Sequence, residues 1–368
     1  MKVVRLGDVA ERVNIKVDQA NTHLEYYVGG EHIESSELKL HHRAPIENST
    51  IGYQFQFGFR DGDILFMTKN PHLRKCTMAN FEGLCSIATF VIHTTSDELL
   101  QDYLLFEMQS DRFWQYCEDH KSGGVNYFIN WGTLSNYEFT LPSLDEQKVL
   151  ADKLWAAYRV KESYKKLLAA TDDMLKAKFQ EMFGEDEKIA LETIASAWSK
   201  GQNFSKNDIV DEGSTPCIHY GQLYKYGYVI NNVFSATNAS AKITSMKGDI
   251  LFPASDVTPR GLARCSCIDL DGVILGGDII VMHPREGIDP TYLSYAINQQ
   301  TNQLLQLVTG SVVRHMSAKS LKTVKVPLPP LPLQQEFVAI ATQAEATKES
   351  LRKSIEDINQ VIKSLINQ

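Results

Sequence analysis

The sequence predicts an α+β protein made of two similar mixed α/β domains, each followed by a long helix, with the two long helices paired. Three features predict this fold class. Short segments recur in the same order at an offset of 186 or 187 residues, each copy ends in a proline–leucine junction, and each junction leads into a long stretch with helical periodicity. A chain of 368 residues is long enough for two domains with ordinary cores.

The internal repeat is carried by several pairs of segments, which lie in the same order in both copies. The clearest pairs are "RDGDILF" (60–66) with "MKGDILF" (246–252), "KSGGVNYFINWGTL" (121–134) with "VTGSVVRHMSAKSL" (308–321), and "TLSNYEFTLP" (133–142) with "SLKTVKVPLP" (320–329). Each match alone is weak. The shared order and the nearly constant offset indicate a tandem duplication whose copies have diverged.

Both copies have the same order of predicted elements. A mixed region of about 140 residues contains β-type runs such as "SIATFVIHT" (86–94) and "GVILGGDIIVMH" (272–283), and a helical stretch follows at 97–118 and 290–308. A glycine-containing turn and a short β-like stretch then lead to the junction. The Gly–Asp pair of "GDILF" is typical of a turn into a buried strand, so we interpret it as structural rather than as a catalytic carboxylate pair.

The junctions and helix signals divide the chain into four segments. The predicted segments are a first domain over 1–142, a first long helix over 143–184, a second domain over 185–329 and a second long helix over 330–368. Ser143 and Glu146 have the spacing of a capping box, and Gly184 stands where a C-terminal cap belongs. Pro332 lies in the first turn of the second helix, where proline is tolerated.

Apolar residues alternate at spacings of three and four along both long stretches, which is the pattern of a coiled-coil seam. A long helix with such a stripe exposed would not be stable alone, so we expect the two helices to pair; packing of each helix on its own domain is the alternative. The predicted seam residues are Leu150, Leu154, Ala157, Tyr164, Leu168 and Leu175, with Phe337, Ala344, Leu351, Ile355, Ile358 and Ile362.

Several function classes lack their sequence signals. The chain contains no P-loop, no H-E-x-x-H, no G-x-S-x-G and no G-x-G-x-x-G, so we predict a binding protein with no catalytic residue and no cofactor of its own. The six cysteines lack zinc-site spacing, and no metal site or disulfide framework is expected. No window is long and apolar enough for a membrane span, and the N-terminus lacks a signal-peptide core, so we expect a cytoplasmic protein that does not enter the membrane.

The charge balance limits how the chain could bind nucleic acid. Its 37 Lys and Arg residues against 45 Asp and Glu residues give a net charge of −8. A protein that binds DNA by itself through phosphate neutralisation is expected to be strongly basic. Binding to DNA would therefore require local positive charge, or charge supplied by a partner.

The repeated segments and junctions resemble those of a known family. The likeness is carried by "LGDVAERVN" (6–14), "GDILF" in both copies, "LPSLDEQKVLADKL" (141–154) and "LPPLPLQQEFVAI" (328–340). Over nearly the whole chain these resemble the specificity subunit of type I DNA restriction–modification systems. The second junction departs from the family pattern, with Leu333–Gln334 where Glu–Gln is expected.

The resemblance implies a non-catalytic subunit with two target-recognition domains, each reading one half of a split sequence in double-stranded DNA. It also implies that the two long helices pack antiparallel, set the spacing between the half-targets and dock two methyltransferase (modification) subunits. Motor-nuclease (restriction) subunits would join for cleavage. A DNA-independent coiled-coil scaffold is the alternative function, and it would apply if the assembled complex showed no sequence preference.

Candidate DNA contacts are exposed side chains with fixed hydrogen-bonding patterns. Three kinds of segment supply them: the loop after each "GDILF", the glycine turn of each copy, and "HYGQLYKYGY" (219–228). The alternatives are a solvated loop, a tight turn that needs glycine, and aromatic residues of the core. The candidates are Lys69, Asn70, His72, Arg74, Lys75, Ser122, Gly123 and Asn126 in the first copy, and Gln222, Lys225, Ser255, Thr258, Arg260, Arg264, Gly310, Arg314 and His315 in the second.

Overall fold

A computed structural model describes residues 2–368. The chain forms two compact units: the first holds the chain up to Lys166 together with Leu351–Gln368, and the second holds Leu167–Ser350. Each long helix therefore contributes one part to each unit. No helix within residues 2–368 combines the length and the apolar character needed to cross a membrane.

The first unit contains three sheets, which are β1–β11, β2–β10–β7–β8 and β3–β6–β9–β4–β5 in strand order. Its strands are β1 (Lys2–Arg5), β2 (Ala10–Val13), β3 (Ile15–Lys16), β4 (Tyr26–Val28), β5 (Ala44–Pro45), β6 (Phe55–Phe59), β7 (Ile64–Met67), β8 (Cys76–Met78), β9 (Gly83–Ser86), β10 (Thr89–Thr94) and β11 (Glu138–Leu141). Its helices are α1 (Leu6–Val9), α2 (Gln101–Glu107), α3 (Asp111–Asp119), α4 (Trp131–Leu134) and the first part of α5 (Leu144–Phe183). The four-stranded sheet is antiparallel throughout and packs its apolar face on α2 and α3.

The second unit repeats this plan. Its strands are β12 (Lys188–Ala190), β13 (Ala195–Lys200), β14 (Ile209–Val210), β15 (Thr215–Ile218), β16 (Val229–Ile230), β17 (Ala236–Thr237), β18 (Ile250–Pro253), β19 (Ser255–Asp256), β20 (Ser266–Ile268), β21 (Ile274–Leu275), β22 (Ile279–Pro284), β23 (Arg314–His315) and β24 (Lys325–Pro327). Its helices are α6 (Leu191–Ile194), α7 (Pro259–Leu262), α8 (Pro290–Asn298), α9 (Thr301–Gln306), α10 (Ala318–Leu321) and the first part of α11 (Leu331–Ile366). The order β13–β22–β18–β20 matches β2–β10–β7–β8, and β12–β24 matches β1–β11. The predicted fold class, a duplicated mixed α/β unit with two long helices, is confirmed.

The "GDILF" segments build the turn into a central strand of each unit. Gly62 and Gly248 have φ values of +86° and +92°, a conformation that favours glycine. Asp63 and Asp249 are buried, and each accepts a hydrogen bond of 2.8 Å from the backbone N–H three residues earlier. Each carboxylate also pairs with a histidine of the neighbouring strand: the partners are His93 (3.1 Å) and His283 (2.6 Å). These side chains are occupied in holding the turn.

Each of the two helix junctions contains a buried glutamine, but the junctions differ in their helix caps. Ser143 and Glu146 form the predicted capping box, with the Ser143 N–H donating to the Glu146 carboxylate at 2.9 Å. At the equivalent positions of the second junction stand Pro330 and Leu333, so neither half of that box exists. The side chains of Gln147 and Gln334 are buried in both junctions. The family departure at Leu333 thus removes a cap and leaves the glutamine in place.

Each buried glutamine joins the start of its long helix to the domain that precedes it. Gln147 donates to the carbonyls of Glu98 (2.8 Å) and Pro142 (3.0 Å) and accepts from the Leu100 N–H (2.9 Å). Gln334 donates to the Pro329 carbonyl (2.7 Å) and accepts from the Asp289 N–H (2.9 Å). These hydrogen bonds satisfy backbone groups that are partly or wholly shielded from water, so each glutamine fixes its junction.

The long helices pair with each other and also pack on the domains. In the first unit Leu154 and Tyr158 of α5 share a core with Ile362 of α11 and with α2 and α3. In the second unit Phe179 and Phe183 of α5 contact Phe337 of α11 edge-to-face, at centroid distances of 5.3 and 5.8 Å. Phe337 in turn contacts Tyr292 and Tyr295 of α8. Pairing of the two helices and packing of each helix on a domain, which are alternatives from the sequence, therefore occur together.

The direction of pairing is antiparallel. In the second unit Asp172 lies beside Lys348 and Phe183 lies beside Phe337, so positions rise along α5 as they fall along α11. All twelve predicted seam residues are buried or half-buried. The stripe also includes large side chains that the heptad pattern did not select, namely Trp155, Tyr158, Phe179 and Phe183.

Candidate nucleic-acid interface

In the first unit the fold brings together two of the predicted segments. We call residues 68–75, which follow β7, the first strand-end loop, and residues 121–128 the first glycine hairpin. The Ile129 N–H donates to the Thr68 carbonyl at 3.0 Å, and the Asn70 N–H donates to the Tyr127 carbonyl at 2.9 Å. The loop and the hairpin therefore form one continuous surface.

The second unit repeats this pairing at equivalent positions. Its strand-end loop is residues 254–264 and its glycine hairpin is residues 308–315. The Met316 N–H donates to the Ala254 carbonyl at 3.0 Å, and β19 pairs antiparallel with β23. Two segments that are remote in sequence thus combine into the same surface in both copies, which supports a common role.

Both hairpins are closed by the same backbone ladder. Ser122 and Phe128 exchange hydrogen bonds of 2.7 and 2.9 Å, and Thr309 and His315 exchange hydrogen bonds of 3.0 and 2.9 Å. The first glycine of each turn is required by this geometry. Gly123 and Gly310 have φ values of +98° and +91°, and a Cβ atom there would collide with the carbonyls of Asn126 and Val313. These two glycines, selected as candidate DNA contacts, are accounted for by the turn.

In the first strand-end loop, the structure separates exposed cations from cations that are already paired. Lys69 and His72 are exposed, as is Asn126 on the adjoining hairpin. Arg74 instead forms an ion pair of 2.6 Å with Asp111, and Lys75 donates to the Gly30 carbonyl. Of the other candidates, Asn70 and Ser122 are half-buried, and Asn70 has a φ of +53°. Lys69, His72 and Asn126 are therefore the side chains best placed to reach a ligand.

The second unit shows the same separation. Arg260 and His315 are exposed, and His315 Nδ1 lies 3.1 Å from the Ser255 hydroxyl. Two other arginines are used within the fold: Arg264 donates to the carbonyl of Tyr226 at 2.6 Å, and Arg314 donates to that of Gly310 at 2.5 Å. Arg260 is therefore the cation of this surface that points to solvent.

An acidic residue that sequence reasoning missed organises the second strand-end loop. Asp256 Oδ1 accepts hydrogen bonds from the N–H and the hydroxyl of Thr258, and Thr258 also caps α7 by accepting from the Gly261 N–H at 3.1 Å. Burial acts to raise the pKa of Asp256, but hydrogen bonds from Tyr224 and Thr258 hold it below its ordinary value. The first copy has neutral Asn70 at this position, so aligning the two copies could have revealed the difference.

The third predicted segment, residues 219–228, also contains both exposed side chains and side chains that are already hydrogen-bonded. The Gln222 amide is occupied, because it accepts from the His219 N–H at 2.8 Å and donates to the Ser235 hydroxyl. Lys225 is exposed. Tyr226 is buried and stacks on Phe234 at a centroid distance of 5.6 Å, so this aromatic residue belongs to the core.

One group of carboxylates and imidazole lies close enough to suggest a metal site. Ligand atoms of Glu37, His41 and Glu162 all lie within 4.8 Å of one another. The ammonium groups of Lys161 and Lys165, however, each lie 3.3 Å from the Glu37 carboxylate, and Lys165 lies 2.9 Å from Glu162. The lysines already supply the positive charge, so we interpret the group as an ion-pair network.

The fold and the surface define a class: a duplicated mixed α/β protein with a matched polar loop pair in each unit. The family model for the Type I restriction modification DNA specificity domain matches residues 1–170 and 185–360. The chain belongs to this family.

Similar proteins agree with this assignment. The chain is 22% identical to the putative type I restriction enzyme MjaX specificity subunit of Methanocaldococcus jannaschii, covering 100% of this chain and 90% of that protein. It is 26% identical to the type I restriction enzyme EcoDI specificity subunit of Escherichia coli over 148 residues, which cover 40% of this chain and 32% of that protein.

Two solved structures share the fold. One is a chain from a study of complex assembly and conformational transition in a type I R-M system, with a TM-score of 0.60, 18% identity and coverage of 99% of this chain and 96% of that chain. The other is the type I restriction–modification S subunit from M. genitalium, with a TM-score of 0.58, 14% identity and coverage of 99% and 94%.

Proposed function

We propose that this chain is the sequence-specific DNA recognition subunit of a type I restriction–modification complex and that it is itself non-catalytic. The domain over 1–142 reads one half of a bipartite target in double-stranded DNA, and the domain over 185–329 reads the other half. The observation that carries this proposal is the pairing of a strand-end loop with a glycine hairpin at equivalent positions of both units. Each pair exposes cationic and hydrogen-bonding side chains in a chain that belongs to a DNA specificity family.

The exposed side chains suit both kinds of DNA contact. Lysine and arginine bind phosphate oxygens or the O6 and N7 acceptors of guanine, and asparagine can pair with adenine. Lys69 and Asn126 supply these groups in the first unit, and Arg260 supplies them in the second. With a net charge of −8, the isolated chain is expected to bind DNA poorly, and partner subunits supply further phosphate contacts.

The long helices are proposed to set the separation of the half-targets and to dock two methyltransferase subunits, which motor-nuclease subunits then join. The 40 residues of α5 and the 36 residues of α11 correspond to about 60 Å and about 54 Å of helix. Recognition surfaces on one side of B-DNA lie about 34 Å apart, or a multiple of that distance. Helices of this length are sufficient for such a separation.

Binding of the assembled methyltransferase complex tests the proposed contacts. We expect Lys69→Ala and Arg260→Ala each to weaken binding of the target duplex, by about 5-fold to 150-fold where the side chain contacts a base, because such a contact contributes about 1–3 kcal/mol. Gel shifts at fixed salt measure the effect. Lys16→Ala and Lys188→Ala, which remove exposed lysines on β3 and β12, are the matched controls. Unchanged binding of both test variants would remove these residues from the interface.

Sequencing of DNA modification in the host tests the function itself. Deleting the gene should abolish methylation at one bipartite motif, and restoring the gene should return it. An assembled complex that binds DNA without sequence preference would instead favour the DNA-independent scaffold.

A further inference from the structure

The tips of the two glycine hairpins carry valines that project into solvent. Val125 is 91% exposed and Val312, which lies 187 residues later, is 81% exposed. A single exposed apolar residue needs no explanation in a soluble protein. Two such residues at equivalent positions of a diverged duplication, each at the tip of the surface proposed to read DNA, require one.

Backbone hydrogen bonds fix the base of each hairpin. Each hairpin is closed by a pair of backbone hydrogen bonds and is pinned to its strand-end loop by further pairing. Valine adds stiffness because its branched Cβ restricts χ1. Contact between a ligand and these valines would therefore cost little side-chain entropy in the protein.

The tip of the first hairpin also contains a glycine that the fold does not require. A Cβ atom added at Gly124 would have no heavy atom within 4 Å, and the φ of Gly124 lies outside the left-handed region. Neither crowding nor backbone conformation therefore requires glycine at this position. Glycine at such a position permits close approach of the backbone to a ligand. The second copy has the small residue Ser311 at this position.

The chemistry of the tips fits the edge of a base pair better than a protein surface. A stable protein interface buries about 800 Å² on each partner, whereas each tip offers one or two valines among glycine and small polar residues. The major groove is about 12 Å wide, admits a two-stranded β-ribbon, and presents one methyl group, that of thymine, which apolar side chains contact.

We propose that Val125 and Val312 are specificity-determining residues, each contacting the 5-methyl group of a thymine in the major groove of its half-target. This inference rests on the proposed function and adds a base identity to it. It requires a T–A pair at a fixed place in each half of the target.

Replacing thymine with deoxyuridine tests the contact, because it removes only the methyl group. The assembled methyltransferase complex would be titrated with duplexes of its own motif in which each thymine is replaced in turn. Replacement at one position in each half-target should weaken binding by about fourfold. This factor corresponds to about 0.8 kcal/mol, the contribution of one buried carbon. Val125→Ala and Val312→Ala should weaken binding of the thymine duplex similarly. At that position deoxyuridine should have no further effect on the variant.

Val3→Ala, which truncates a valine that is 63% exposed on β1, is the matched control and should leave binding unchanged. Unfolding curves of the variants show whether the fold is retained, and the deoxyuridine series with the unaltered protein does not depend on that result.

A half-target without thymine, or binding that is insensitive to every deoxyuridine replacement, would overturn the inference. If the complex still preferred its own motif, the proposed function would stand. Loss of methyltransferase co-purification by Val125→Asp would also overturn it and identify a protein contact. Absence of any sequence preference would instead reject the proposed function.

Discussion

Lys161 and Lys348 occupy equivalent positions of the two long helices, 187 residues apart, and both are buried. Their counter-ions differ. The Lys161 ammonium lies 3.3 Å from both oxygens of Glu37, a buried residue of the domain, whereas Lys348 lies 2.6 Å from Asp172 of α5 and 2.8 Å from Glu345 on its own helix. Divergence kept the buried charge and changed its partner. The lysine holds helix to domain in the first unit and helix to helix in the second.

Removing the counter-ion should have unequal effects in the two units, and this is the largest effect we predict. Glu37 is 10% exposed and Asp172 is 50% exposed, and Lys348 retains Glu345 when Asp172 is lost. Glu37→Ala should lower the free energy of unfolding by about 3–5 kcal/mol, because it leaves a buried charge unpaired. Asp172→Ala should cost about 1 kcal/mol or less.

Thiol labelling in urea can assign these losses to a unit, since all six cysteines are buried and three lie in each unit. Mass spectrometry of labelled peptides gives separate unfolding curves. A double variant, Glu37→Leu with Lys161→Met, should recover most of the loss, because apolar residues can replace a buried ion pair. Equal losses for Glu37→Ala and Asp172→Ala would show that the two lysines depend equally on these partners.

The junction glutamines give the next largest effect and a closer match between the units. Gln147→Ala removes three hydrogen bonds of a fully buried amide, and Gln334→Ala removes two. Unpaired buried groups cost about 1–3 kcal/mol each, reduced where water enters, so we expect losses of about 3 and about 2 kcal/mol. The same labelling measures both, with exposed Gln115→Ala as the control. A loss below that of the control would mean that water satisfies these groups.

The sequence predicted the parts of this molecule that depend on local pattern. The repeat, both long helices and the glycine turns follow from periodicity, from capping residues and from the conformational range of glycine. The pairing of strand-end loop with hairpin was not predictable, because it joins segments such as Thr68 and Ile129 that are remote along the chain. Which cations remain exposed also depends on remote partners: Arg74 and Lys69 look alike in sequence, and only Arg74 meets Asp111.

The helix caps offer a smaller and more specific test. The second junction has lost both halves of the capping box, since Pro330 has neither an N–H nor a hydroxyl and Leu333 has no acceptor. Restoring the family glutamate alone, with Leu333→Glu, should therefore not stabilise the second unit. Leu333→Glu combined with Pro330→Ser should add about 1 kcal/mol. A gain from the single variant would show that the glutamate acts on the helix dipole without a box.

Acid should act in opposite directions on two buried carboxyl groups, Glu37 of the first unit and Asp249 of the second, and this is the smallest effect we predict. Burial acts to raise the pKa of Glu37, but Lys161, Tyr158 and Lys165 together hold it below its ordinary value. That stabilisation is complete above the unfolded-state pKa of about 4.3 and is lost as the pH falls through the lower folded-state pKa. In the second unit, burial raises the pKa of Asp249 despite its hydrogen bonds from Met246 and His283.

A raised pKa of a carboxyl group stabilises the folded state below the unfolded-state pKa, about 3.9 for aspartate, and this contribution is lost as the pH rises through the folded-state pKa. Between pH 6 and pH 3 the first unit should therefore lose stability through Glu37 while the second gains through Asp249. Hydrogen exchange followed by mass spectrometry, corrected for the intrinsic pH dependence of exchange, would resolve the units. Glu37→Gln should reduce the loss of stability of the first unit in acid without changing the second, and Asp249→Asn should remove the opposing gain from the second unit without changing the first. If Glu37→Gln left the response of the first unit unchanged, the Glu37–Lys161 pair would not be what distinguishes the two copies in acid.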